Sequence, residues 1–290
     1  MIFLNFLKVI IRIINKWIYH KYQTWFNKHN CILEFPNNYQ FNSSKFDRIN
    51  LIADDNKLVQ TMIKFLDKHY NQEEYLIVSL SGGVDSMVLI AILHRLKSKY
   101  GYKLASATID YSLRTESKLE SNFTKFFCKQ YDIENHLVVL NGIGRKDGSG
   151  KRTEFESQSR NIRYTLYQDL IKKYDSNMIF VAHHWDDTTE NVFTNFMRGK
   201  NLLDLSVMHP ISKINNVNIA RPFLDHPKSD ILNLAHNYMI PYFKDTTPDW
   251  SNRGKMRRKV FPLLVEMFGN YFRNNLNNMG NNSAEIGSML

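Results

Sequence analysis

This 290-residue chain predicts an α/β fold, a parallel sheet with helices on both faces, and three observations carry that reading. From Asn56 onward, short apolar runs alternate with longer helix-like segments. A glycine turn, Ser81-Gly82-Gly83-Val84-Asp85-Ser86, joins the apolar run Tyr75 to Leu80 directly to a second one, Met87 to Leu93. The ends of three of the expected strands also carry chemically capable residues. The turn itself follows the first, Asp110 and Arg114 follow the second, and His183, His184, Asp186 and Asp187 follow the fourth. Ligands of open parallel sheets gather at those carboxyl ends.

Taken in order, residues 1–33 hold no Asp or Glu, while Lys8, Arg12 and Lys16 recur every four positions among Ile, Leu, Phe and Trp. That spacing predicts a basic amphipathic helix. Charge interrupts it too often for a membrane span, and it lacks the small-residue cleavage site of a secretory signal. Three readings stay open: a helix packed on the protein, a membrane-surface contact through residues 1–20, or a mitochondrial transit segment. Residues 34–55 read as a polar linker, so the first region spans 1–55. A catalytic domain is expected over 56–270, opening with a helix from Asn56 to Tyr70. The alternation then runs strand 75–80, helix 86–98, strand 103–110, helix 116–131, strand 136–140, helix 155–173, strand 178–182 and helix 188–198. Between them, Asn141 to Lys151 carries four glycines and reads as a mobile loop. The tail over 271–290, rich in Asn, Gly and Ser, is expected to be disordered.

The net charge of +10 implies a polyanionic partner, nucleic acid or an acidic membrane surface. Cys31 and Cys128 are the only cysteines and lie far apart. A disulfide framework, a zinc site and an iron–sulfur cluster are therefore all unsupported, and a reducing, cytoplasmic setting fits best, with mitochondrial or peripheral-membrane placement as the alternatives. Cys128, among Phe126, Phe127 and Tyr131, reads as a buried structural thiol.

A strand feeding a glycine turn that opens a helix aims backbone N–H groups and the positive helix end at one point, where phosphate oxygens can sit. A kinase-type or GTPase-type loop places a Lys after its last glycine, and here that position is Val84. The turn instead resembles the PP-loop of the N-type ATP pyrophosphatases, which implies a Rossmann-like fold and cleavage of ATP between the α and β phosphates. The segment Val181-Ala-His-His-Trp-Asp-Asp-Thr-Thr-Glu-Asn191 narrows the resemblance to the tRNA(Ile)-lysidine synthetases. Further matches are Glu156, Arg160, Arg163 and Tyr164, then Arg198-Gly199, Arg221-Pro222-Phe223-Leu224, and the closing run from Asp249 through Arg258 to Pro262.

The resemblance implies that ATP adenylates the wobble cytidine of an isoleucine tRNA with a CAU anticodon, and that free lysine then displaces AMP. On that reading Ser81, Gly82, Gly83, Val84, Asp85, Ser86 and Asp110 bind ATP. Asp85 is the first choice as Mg²⁺ ligand and Asp186 the second, because charge builds on the leaving pyrophosphate. His183, with Arg160 or Arg163, contacts the α phosphate. Asp187 and Glu190, three apart on one helical face, hold the lysine amine; the plainer alternative is a helix capping box. Arg253, Lys255, Arg257 and Arg258 grip tRNA phosphates, with a solvated basic face as the alternative. The chain departs from the family pattern at Tyr111, where a His is usual. Three other readings remain: a tRNA thiolating enzyme, whose related branch uses cysteine pairs or clusters missing here, a PP-loop ligase acting on a small molecule, such as the glutamine-using synthetases, and an inactive nucleotide-binding module at a membrane.

Overall fold

The computed structural model describes residues 48–112, 117–140, 149–205, 208–243 and 251–289, with side chains throughout except at 119, 149–156 and 287–288. The expected amphipathic helix and most of its linker, Arg114, the greater part of the glycine loop and the start of the closing segment lie outside the described residues. So does the side chain of Glu156. The chain divides into Met1–Gln40 and Phe41–Leu290, and all described residues belong to the second unit.

Helix α1 (Lys57–His69) starts where Asn56 accepts a bond from the Leu58 N–H at 2.9 Å. It leads into β1 (Tyr75–Ser79), whose Leu76, Ile77 and Val78 are all buried, the continuous apolar run of a strand covered on both faces. After the glycine turn comes α2 (Val84–Tyr100), buried along nearly its whole first half and ended by Gly101 at φ 83°. Then follow β2 (Lys103–Asp110), α3 (Ser117–Gln130), β3 (Glu134–Val139), α4 (Ser149–Tyr174), β4 (Ile179–Phe180) and α5 (Trp185–Met197). Every one of these elements was expected. Their limits differ most at α4, which begins six residues earlier, and at β4, which pairs with β1 only through Ile179 and Phe180 before Val181 bonds onward to Ala220.

Three further pieces did not announce themselves. Strands β5 (Ile211–Ile214) and β6 (Val217–Ala220) form a hairpin closed by Asn215 and Asn216, both at positive φ as a tight two-residue turn requires. Helix α6 (Lys228–Asn237) follows, and after it α7 (Asn252–Lys255), a widened π turn (Met256–Val260), α8 (Phe261–Phe268) and α9 (Tyr271–Met289). The expectation of a disordered tail is thus corrected: α9 packs on α5, with Asn277 donating to Thr189 Oγ1 at 2.8 Å and Ser283 accepting from the Leu205 N–H at 3.1 Å. Tertiary packing overrides a composition poor in helix formers.

The six strands lie in the order β3-β2-β1-β4-β6-β5, parallel throughout except for the β5 edge. One core layer packs Tyr164, Tyr167 and Leu170 of α4 on Ile77, Ala105, Ile179 and Ile219 of the sheet. Each such large apolar side chain stabilises the fold by roughly 1.5–3 kcal/mol. Strand order reverses between β1 and β4, which opens a crevice at their carboxyl ends. The glycine turn and the two histidines stand at that crevice.

Candidate active site

The turn after β1 is built to leave backbone donors open. Ser81 and Ser86 lock it internally: the Ser86 hydroxyl donates to the Gly83 carbonyl at 3.0 Å and accepts from the Ser81 N–H at 3.2 Å, while Ser81 Oγ accepts from the Gly83 N–H at 3.3 Å. Gly83 caps α2 without a side-chain bond, so the first N–H groups of the helix face the crevice. Gly82 sits at φ 80°, its carbonyl accepts from the Phe243 N–H at 2.9 Å, and a Cβ there would lie 2.9 Å from the Phe243 ring. Only glycine fits, and the cradle stays shallow enough for a phosphate.

Beside the cradle is a cavity of about 90 Å³ lined by Ser81, Thr108, Asp110, Tyr111, Glu120 and Ser121, among others. Asp110, expected to bind ATP, is buried against its wall and accepts from the Ser112 N–H at 2.8 Å and Ser121 Oγ at 3.2 Å. Tyr111 replaces the usual histidine with a hydroxyl that accepts from Arg163 Nη2 at 2.5 Å and Nε at 3.1 Å. Arg160 is exposed and lies 5.3 Å over the Tyr164 ring. The two arginines thus differ: Arg163 is held beside the strand ends, and Arg160 reaches solvent.

Across the crevice, His183 Nδ1 accepts from Arg221 Nε at 3.1 Å. Burial lowers the His183 pKa to about 4, against the attraction of Asp187, so the ring is neutral with its proton on Nε2 and acts as a donor. Arg221 is itself buried and bonds Ser212 at 2.7 Å and the His209 carbonyl at 3.0 Å, which fixes the imidazole from behind.

His184, 2% exposed, caps α5 and stands among three carboxylates, 3.4 Å from Asp187 Oδ2, 3.6 Å from Asp85 Oδ1 and 3.6 Å from Asp186 Oδ2. Asp85 is also gripped by Lys228, whose ammonium donates to both its oxygens at 2.5 Å. Asp186 accepts from the Lys228 N–H at 2.8 Å and Arg273 at 2.8 Å. Burial favours the acid form of Asp186, but the nearby His184 ring, the Lys228 N–H and the Arg273 guanidinium outweigh it and hold the pKa at about 2. Asp186 is fixed by a backbone N–H and a guanidinium, whereas both Asp85 oxygens are held by the ammonium of one partly exposed lysine side chain. As a hard oxygen donor at the phosphate cradle, Asp85 fits Mg²⁺ better.

Asp187 and Glu190 lie side by side, 6% and 4% exposed. The capping box weighed from sequence, with Asp187 as cap and Glu190 reaching back, is displaced by one turn: His184 is the cap, Asp187 Oδ2 accepts from its backbone N–H at 3.2 Å, and Glu190 takes no part in it. Their remaining oxygens meet two guanidinium groups. Arg253 donates to Asp187 and, at 2.5 Å, to Glu190; Arg257 donates to Glu190 and, at 3.2 Å, to Asp187. Despite burial, His184 and these arginines keep the Asp187 pKa below its ordinary value. Ser251 caps α7 by accepting from the Gly254 N–H at 2.9 Å, and the π turn that follows carries Arg257. The basic cluster is therefore divided: Arg253 and Arg257 pair with the carboxylates, while Lys255, Arg258 and Lys259 are exposed.

Lys228 and Arg273 were not singled out in sequence, while His184 and Arg221 were named there only within motifs and given no role of their own. Pro227 before an amphipathic stretch marks the start of α6 and was the available signal for Lys228.

Cradle, crevice and sheet order define an ATP-using PP-loop domain, and the family model for a PP-loop domain matches residues 55–264. Among curated relatives, the tRNA(Ile)-lysidine synthase of Chlamydia caviae is 30% identical over 234 residues, which cover 80% of this chain and 70% of that protein. Those of Streptococcus mutans and Bacteroides thetaiotaomicron are 28% and 29% identical, covering 70% and 72% of this chain and 44% and 48% of their own lengths. The chain belongs to the tRNA(Ile)-lysidine synthase family. It spans about half the length of the latter two relatives. Among solved structures, the U34-tRNA thiolase NcsA from Methanococcus maripaludis with its 4Fe-4S cluster superposes with a TM-score of 0.62 at 16% identity, over 80% of this chain and 79% of that one. That likeness is one of fold alone.

Proposed function

We propose that this protein adenylates the wobble cytidine of an isoleucine tRNA bearing a CAU anticodon and ligates lysine to it, releasing pyrophosphate and AMP. The observation that carries the reading is the pair Asp187 and Glu190, two buried carboxylates already matched to cationic groups and linked through His184 to Asp85 of the phosphate cradle.

The open N–H groups at the head of α2 take the β and γ phosphates, and the adenosine lies toward Asp110 and the cavity beside it. His183 donates from Nε2 and Arg163 adds charge where the α phosphate becomes pentavalent. Mg²⁺ held by Asp85 would neutralise charge on the departing pyrophosphate. The lysine ammonium takes Asp187 and Glu190 by displacing a guanidinium, and Arg253 or Arg257 is then available to the adenylate. Lys255 and Arg258 contact the tRNA backbone, and the enzyme works in the cytoplasm, with the first helix as a candidate membrane-surface contact.

The thiolation reading is weaker because Cys128 is buried, bonded to Ser106 at 3.3 Å, and pushed by burial to a pKa of about 11, an inert thiol. The test is AMP release from α-labelled ATP with Mg²⁺, adding lysine and the tRNA separately and together. Lysine recovered on the tRNA, with AMP formation needing both, establishes the reaction. AMP formation indifferent to lysine points to another tRNA modification, and no AMP under any condition removes the enzymatic reading.

A further inference from the structure

The glycine turn Ser81–Ser86 has no cation of its own. Val84 occupies the place where a kinase-type loop carries its lysine, and from Ser81 onward the first Lys or Arg is Arg95, at the far side of three helical turns. A phosphate cradle that must hold a leaving pyrophosphate still needs a mobile positive group. Lys228 meets that description. It stands at the first position of α6, after Pro227, and its ammonium reaches both oxygens of Asp85, the acidic residue of the loop, at 2.5 Å.

The base of that side chain is well anchored. The Lys228 backbone N–H bonds Asp186, the preceding His226 carbonyl accepts from the Trp185 N–H at 2.9 Å, and the His226 ring bonds Thr61 at 2.7 Å. The tip is not buried: the Lys228 side chain is 31% exposed and Asp85 is 29% exposed. A fixed root with an accessible ammonium is the arrangement of a group that changes partner.

We propose that Lys228 is the pyrophosphate-binding cation of this site. It neutralises Asp85 while the cradle is empty, gives up those oxygens to the divalent cation that accompanies the nucleotide, and turns to the β and γ phosphates. Two cations at contact distance on one carboxylate repel each other, which drives the ammonium from Asp85 toward the phosphates as the metal arrives. The assignment rests on the reading that this loop binds the phosphates of ATP.

The test is calorimetry on the full chain with inorganic pyrophosphate and Mg²⁺, and separately Mn²⁺ binding by electron paramagnetic resonance without any phosphate, for the wild type, Lys228→Met and Lys228→Arg. Lys228→Met is expected to bind pyrophosphate roughly tenfold to a hundredfold more weakly, the effect of removing one charge-assisted hydrogen-bonding group. The same variant should bind Mn²⁺ more tightly, since Asp85 is released, and Lys228→Arg should retain most of the pyrophosphate affinity. A purely structural lysine would move both affinities down together, and that outcome overturns the proposal. Unchanged pyrophosphate affinity in Lys228→Met also overturns it while leaving the cradle intact. A wild type that binds no pyrophosphate removes the cradle reading itself.

Discussion

At the scale of single residues, the crevice separates roles by environment. Asp85 is half-open and faces cations; Glu190 is buried and faces guanidinium groups. Asp85→Ala is therefore expected to abolish adenylation and with it AMP formation, while Glu190→Ala spares adenylation and raises the lysine concentration needed for ligation, read by pyrophosphate release for the first step and by labelled lysine on tRNA for the second. Equal loss of adenylation in both would show that the carboxylates have no division of labour. His183 and His94 add a pH dependence. Burial lowers each to about 4 from an ordinary 6.5, so between those values the unfolded chain binds more protons than the folded one. Stability then falls as pH drops through that window, by on the order of 1–3 kcal/mol per histidine, and levels off for them below it. Asp186 works lower down, its contribution present above 3.8 and lost as pH falls toward 2. Urea midpoints at pH 7, 5.5 and 4.5 should decline steadily, and less steeply for His94→Gln; a flat series contradicts the burial of neutral imidazoles.

At the scale of elements, the glycine turn is the piece whose geometry tolerates least. Gly82→Ala would place a methyl 2.9 Å from the Phe243 ring at a φ of 80°. The cost is about 1–3 kcal/mol, with ATP affinity falling further because the loop must widen. Thermal unfolding and nucleotide titration check it, and wild-type values in both would mean that Phe243 yields freely. This turn was legible in sequence because it needs particular residues: two glycines, a serine pair and flanking apolar runs. The β5–β6 hairpin was not, since four-residue strands give too short an alternation to stand out, although Asn215-Asn216 is a turn signal. Helix α9 misled for a different reason. Its Asn-rich sequence has weak intrinsic preference, and what makes it helical is bonding to Thr189, Leu205 and Asp186, which precede their partners in α9 by 78 to 88 positions on the chain. The paired carboxylates were legible as a pair, but the arginines that meet Glu190 lie 63 and 67 residues away, and no local pattern encodes that meeting.

Over the whole molecule, the +10 charge is a long-range field, and the structure shows which cations of the carboxyl-terminal cluster contribute to it. Arg253 and Arg257 each face Asp187 and Glu190, so their charge is cancelled locally. Lys255, the last residue of α7, and Lys259, in the π turn that follows, are exposed. A polyanion should therefore feel the lysines more than the arginines. The double change Lys255→Ala, Lys259→Ala is expected to weaken tRNA binding and flatten its logarithmic dependence on salt by roughly one to two units, one for each phosphate no longer neutralised. Arg253→Ala should behave differently: it removes one of two guanidinium partners of the buried carboxylates, which costs about 1–3 kcal/mol of stability because Arg253 is half-exposed and Arg257 remains, and leaves the salt slope nearly unchanged. Filter binding over a salt series, with melting curves beside it, separates the two. Should Arg253→Ala flatten the slope as much as the lysine pair does, the guanidinium leaves its carboxylates when RNA binds, and the cluster acts as one surface.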